Sequence, residues 1–147
     1  GRTLLAPDVR SDYYARARMG AFWRHNFLNG EWAILPFLYS QVVPVSPRHL
    51  IPLLFVTALL AGCGLLPWSG WPLAAVAVPY ALANLTASIQ AAIKLRRPAY
   101  AAWMPVVFLS LHLGYGLGSI SGVLRAARVI LSRKRAARRE SSCIPQH

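Results

Sequence analysis

LIPLLFVTALLAGCGLLP, WSGW and PLAAVAVPYALANLTASIQAAI, read consecutively as residues 50–93, decide the fold. Over these 44 residues there is no Asp, Glu, Lys or Arg. The first part, Leu50–Pro67, holds seven Leu together with Ile51, Phe55 and Val56. At about −0.3 to −0.6 kcal/mol per strongly apolar residue, inserting it into a bilayer gains roughly 3 to 6 kcal/mol. The second part, residues 72–93, is Ala-rich and long enough for a helical crossing. Between them, Trp68-Ser69-Gly70-Trp71 reads as a turn with two indoles at headgroup depth.

Working outward, Lys94, Arg96 and Arg97 close the second run, and a third uncharged run follows over residues 101–124. Its end is the basic tail 125–147, which we read as lying on an anionic leaflet. On the other side, residues 31–48 are apolar but interrupted by Pro36, Pro44 and Pro47, too short a stretch to cross. Residues 13–30 predict an amphipathic helix at the membrane interface, with Asp12 as N-cap and Gly30 as its stop. Thr3–Ala6 reads as a short strand ended by Pro7, and a lone strand implies a sheet elsewhere. The expected fold class is therefore an all-α membrane protein. It has an interfacial helix and Pro-rich connector over 13–48, about three transmembrane helices over 49–124, and the end of another domain over 1–12.

Composition agrees. The chain has 147 residues, 56% of them hydrophobic and 14% charged, against about 25% charged in ordinary globular chains. Sixteen Lys and Arg face four Asp and Glu. The basic residues sit at the ends of apolar runs, so we assign them to membrane flanks and expect no nucleic-acid partner. The charge bias conflicts with three full crossings, since these would place the seven Lys and Arg of the tail opposite the Lys94–Arg97 loop. A third run broken at Gly114, Gly116 and Gly118, entering and leaving by one face, is the alternative. Cys63 lies in an apolar run and Cys143 in the tail, which predicts two free thiols.

Chemical motifs are sparse. The acids Asp8, Asp12, Glu31 and Glu140 form no pair spaced for general acid–base work, and the His residues 25, 49, 112 and 147 have no ligand-spaced companions. We expect no catalytic residue and no metal site within the chain. His112 lies inside the third run, and a neutral imidazole bonded to a neighbouring helix is its simplest role. Small residues recur every fourth position at Ser110, Gly114, Gly118 and Gly122, and at Ala83, Ala87 and Ala91. These stripes are expected to face each other, because small residues let helix backbones approach.

Several elements stand in a familiar order: GRTLLAPDV, Tyr13-Tyr14-Ala15-Arg16, the segment from His25 through Asn29-Gly30-Glu31-Trp32, Arg48-His49-Leu50-Ile51-Pro52-Leu53-Leu54-Phe55, and His112-Leu113-Gly114-Tyr115-Gly116-Leu117-Gly118. The chain resembles the C-terminal, membrane-embedded region of bacterial family 2 glycosyltransferases of the exopolysaccharide (succinoglycan-synthesis) type. The resemblance spans nearly all of it except the last twenty or so residues. It implies a GT-A catalytic domain upstream, holding the Mg or Mn ion and the nucleotide sugar. It also implies a lipid-linked or polysaccharide acceptor and a multi-pass location in the bacterial inner membrane. Related processive enzymes carry a Q-x-x-R-W motif near residues 29–32. Here the Gln is replaced and no Arg precedes Trp32. Candidate acceptor or interface residues are Arg16, Arg18, Arg24, His25, Asn29, Trp32 and Arg48. The alternative function is a small non-catalytic membrane protein, an assembly subunit or pore former.

Overall fold

The computed structural model describes residues 18–38 and 47–142, with side chains up to Arg135. All described elements are helical. Helix α1 spans Met19–Ile34, α2 Ile51–Leu65, α3 Trp71–Lys94 and α4 Ala99–Ser142. Single 3-10 turns cover Leu35–Leu38 and Pro47–Leu50. The proposed strand, the Asp12 cap and Arg16 lie outside the described residues.

Local chemistry sets these boundaries. Pro52 and Pro72 sit in the first turns of α2 and α3, where a missing N–H costs nothing. The Trp68–Trp71 turn closes through Trp68 and Ser69 N–H groups bonded to the Leu65 carbonyl, and Ser69 Oγ accepts from the Trp71 N–H. Within the helices, Thr57, Thr86 and Ser88 donate to the carbonyls of Leu53, Leu82 and Asn84. Such back-bonding satisfies a hydroxyl where water is scarce.

Three helical segments are long and apolar enough to cross a membrane: Arg48–Leu65, Trp71–Lys94 and Ala99–Arg135. The surface is apolar to match. Among the described hydrophobic residues only Val56 and Ala92 are buried, whereas Leu54 is 66% exposed and Ile93 72%. Ser88 and Ser119 are fully enclosed. Apolar surface outside with hydroxyls inside inverts the pattern of a water-soluble domain and points to a multi-pass membrane protein.

One alternative falls and one expectation changes. Helix α4 is continuous through Gly114, Gly116 and Gly118, so the broken, re-entrant third run is not formed. Its 44 residues span about 66 Å, against roughly 30 Å of hydrocarbon. The helix thus carries the tail onward in one line, with basic clusters at both ends of its apolar run, and charge bias selects no orientation. Gly30 also fails to stop α1, which continues to Ile34. Its backbone stays helical because Gly30 serves as a contact point.

Candidate functional site: the junction of α1, α2 and α4

Glycines on α4 build the junction. A Cβ at Gly114 would lie 3.4 Å from the Trp23 carbonyl oxygen, and one at Gly122 would lie 2.8 Å from that of Glu31. At Gly118 it would strike the Phe27 carbonyl, with the Phe27 Cα only 3.0 Å away. Each step of four residues on α4 matches a step of four on α1, so the two helices run parallel and in register. From the other side, a Cβ on Gly30 would collide with the Tyr115 carbonyl and come within 2.9 Å of the Ser119 nitrogen. The glycine stripe therefore packs on α1. The alanine stripe expected to face it does not: Ala83 and Ala87 are exposed and Ala91 is half-buried. Only glycine permits this separation, and α1 brings its own glycine to the seam.

Polar groups lock the seam. Ser119 Oγ donates to the Gly30 carbonyl at 3.2 Å and shares the Tyr115 carbonyl at 3.0 Å. Asn26, also buried, donates to the Phe22 carbonyl. Glu31 is 6% exposed, accepts from Ser121 Oγ at 3.3 Å and pairs with Arg125 at 2.8 Å. The buried positions of α1 are thus Asn26, Gly30 and Glu31, a polar and small seam in place of the apolar stripe an amphipathic helix presents.

The start of α2 completes the junction. A Cβ at Gly116 would meet the Pro52 carbonyl and the Val56 side chain. His49 stacks on Tyr115 with ring centroids 6.2 Å apart. One turn away, Phe55 stacks on Tyr80 at 4.1 Å, and His112 sits edge-on to both rings. His112 Nδ1 lies 2.7 Å from the Phe108 carbonyl and 3.3 Å from Tyr80 Oη. A ring nitrogen facing a carbonyl must carry the proton, so Nδ1–H is the donor and Tyr80 Oη shares it. His112 therefore joins α4 to α3 as a bonded imidazole. Nearby, Asn84 Nδ2 donates to the Pro105 carbonyl at 3.1 Å, a second polar tie between α3 and α4.

The site candidates fall in two places. Arg18, Arg24 and His25, with Leu28, line a shallow cleft of about 550 Å³ on the exposed side of α1. His25 and Asn29 are hydrogen-bonded at 3.2 Å. Arg48 is exposed at the start of α2's leading turn, and Trp32 is 65% exposed one residue beyond the buried Glu31. These groups offer positive charge, amide and indole to a ligand at the surface. Among the described residues no group of three His, Cys, Asp or Glu is placed to hold a metal. Sequence reasoning did not single out Glu31, Arg125 or Ser119. A lone acid beside apolar residues requires a counter-charge, and Arg125, the first cation after the third run, was the available signal.

No known protein family, curated protein or solved structure matches the chain.

Proposed function

We propose that this chain is the membrane-anchoring part of a family 2 glycosyltransferase. The enzyme moves a sugar from a nucleotide donor to a lipid-linked or polysaccharide acceptor at the inner face of a bacterial membrane. One observation carries the reading. Three of the five sequence elements behind the resemblance, residues 25–32, 48–55 and 112–118, are distant in the chain yet meet at one junction: Gly30 on Tyr115, His49 on Tyr115, and Pro52 on Gly116.

In this reading α1 is the platform between the upstream catalytic domain and the spans. Its exposed Arg18 and Arg24, with Arg48, offer positive charge to the phosphates of a lipid-linked acceptor. Trp32 offers an indole face to a sugar ring, whose C–H groups stack on such a surface. The divalent metal and the catalytic base belong to the upstream domain.

The test is the uninterrupted reading frame that encodes the chain, expressed in bacterial membranes supplied with radiolabelled nucleotide sugars and Mg or Mn. Label should enter a lipid or polymer fraction, and the frame should contain a nucleotide-sugar domain before Gly1. A frame that opens beside Gly1, with membranes that transfer no sugar, makes the chain a small non-catalytic membrane protein instead.

A further inference from the structure

The register of α1 on α4 fixes the depth of the charges α1 carries. Trp23 lies against Gly114, Phe27 against Gly118 and Glu31 against Gly122, so Arg24 and His25 stand level with Tyr115 and Gly116. Tyr115 is about 14 Å of helix before Leu124, the nearer end of the uncharged run 101–124. Arg18 stands nearly two turns farther from that end, near the middle of the run. On another face of α4, His112 meets Tyr80, which lies inside the uncharged run 72–93. Two spanning helices therefore set this level in the hydrocarbon, farther from its edge than an arginine stem extends.

The cations at this level do not face the protein. Asn26, Gly30 and Glu31 form the buried side of α1, whereas Arg18, Arg24 and Leu28 are exposed and His25 is half-buried. Among the described side chains Glu31 is the sole acid, and Arg125 engages it. No described carboxylate pairs with Arg18 or Arg24. Ionisable groups at bilayer depth face either the bundle interior or a water-filled cavity, because acyl chains do not solvate charge. The interior position is taken here by other residues. The cleft lined by Arg18, Arg24 and His25 also includes Gly20 and Ala21, and a Cβ at Gly20 would meet nothing within 4 Å. Small residues thus leave open space between the cations.

We propose that the outward face of α1 bounds a water-filled inlet that reaches the mid-depth of the bilayer, and that its arginines make it a site for small oxyanions. Acyl chains against this face would strip two guanidiniums of hydration with no counter-charge to offset the loss. Water in the inlet removes that cost. Fixed positive charge beside low-dielectric walls then draws anions in and repels cations. The inlet follows from depth and charge alone and does not rest on the sugar-transfer reading.

Single-cysteine variants of the chain test this, in a background of Cys63→Ala with Cys143→Ser, reconstituted into liposomes with reagent on both sides. The probes are an anionic sulfonatoethyl and a cationic trimethylammonioethyl methanethiosulfonate, which modify thiols that water has ionised. Leu28→Cys and Ala21→Cys, both on the cleft, should react. Leu117→Cys, at the same depth but facing outward on α4, should stay unmodified. Relative to its rate with a free thiol, the anionic reagent should outpace the cationic one at least about tenfold at Leu28→Cys. Adding Arg18→Gln with Arg24→Gln should remove that preference and leave the cysteine reactive. Inert cysteines at both cleft positions, modification of Leu117→Cys as fast as of Leu28→Cys, or equal relative rates for the two reagents would overturn the inlet.

Discussion

Gly118→Ala adds a single methyl group where α1 and α4 come closest. The added Cβ meets the Phe27 carbonyl oxygen, its carbon at 2.7 Å and the Phe27 Cα at 3.0 Å. All three atoms are backbone, so no side-chain rotation relieves the clash and α1 must move away from α4. Overpacking of this kind costs about 1–3 kcal/mol. The displacement also stretches the Ser119–Gly30 hydrogen bond, worth about 1 kcal/mol. Together these give about 2–4 kcal/mol of lost docking. Amide exchange across α1 in micelles should rise by about 30- to 1,000-fold, at tenfold per 1.4 kcal/mol. Exchange in α3 should not change. Wild-type protection of α1 in this variant would refute the close parallel packing.

Gly20→Ala and Gly64→Ala are the internal control: a Cβ at either position has nothing within 4 Å, and both lie in end turns of their helices, so each should leave stability unchanged or raise it by up to about 0.5 kcal/mol in denaturant titration. Arg125→Ala should destabilise α1 docking more than Glu31→Gln. Removing the cation leaves a carboxylate that is 8% exposed unpaired, whereas the amide retains the Ser121 contact and Arg125, 62% exposed, returns to solvent. The reverse order in exchange rates would show that the ion pair does not hold the seam. Tyr80→Phe should cost about 0.6 kcal/mol, a typical interhelical hydrogen bond in lipid. Tyr80→Ala should cost several times more by also removing the ring 4.1 Å from Phe55, and equal thermal shifts for the two variants would contradict the stack.

The apolar runs were legible because lipid imposes one rule on every residue of a crossing helix, and their boundaries fall within a few residues of α2 and α3. The length of α4 was not. Residues 125–142 carry too much charge for a span, yet Ala126, Ala127, Ala136 and Ala137 among Arg and Lys favour helix with nothing to end it. The small-residue stripe was visible in sequence but its partner was not. Spacing identifies which face approaches closely and says nothing about which helix arrives there. What decided the partner was Gly30, which reads locally as a helix terminator and acts in three dimensions as a second small surface. Glu31 followed the same logic: its counter-charge lies 94 residues away, beyond any local pattern.

A membrane protein of this design has acyl chains, in place of water, around α2, α3 and α4. Nitroxide labels at Leu54, Leu82 and Leu109, in the chain reconstituted into liposomes, measure this directly by collision with oxygen and with a water-soluble nickel chelate. Oxygen should dominate at all three positions, with the nickel chelate dominating at Arg128 as a reference on the tail. Nickel collisions exceeding those of oxygen at Leu54, Leu82 and Leu109 would contradict the membrane assignment.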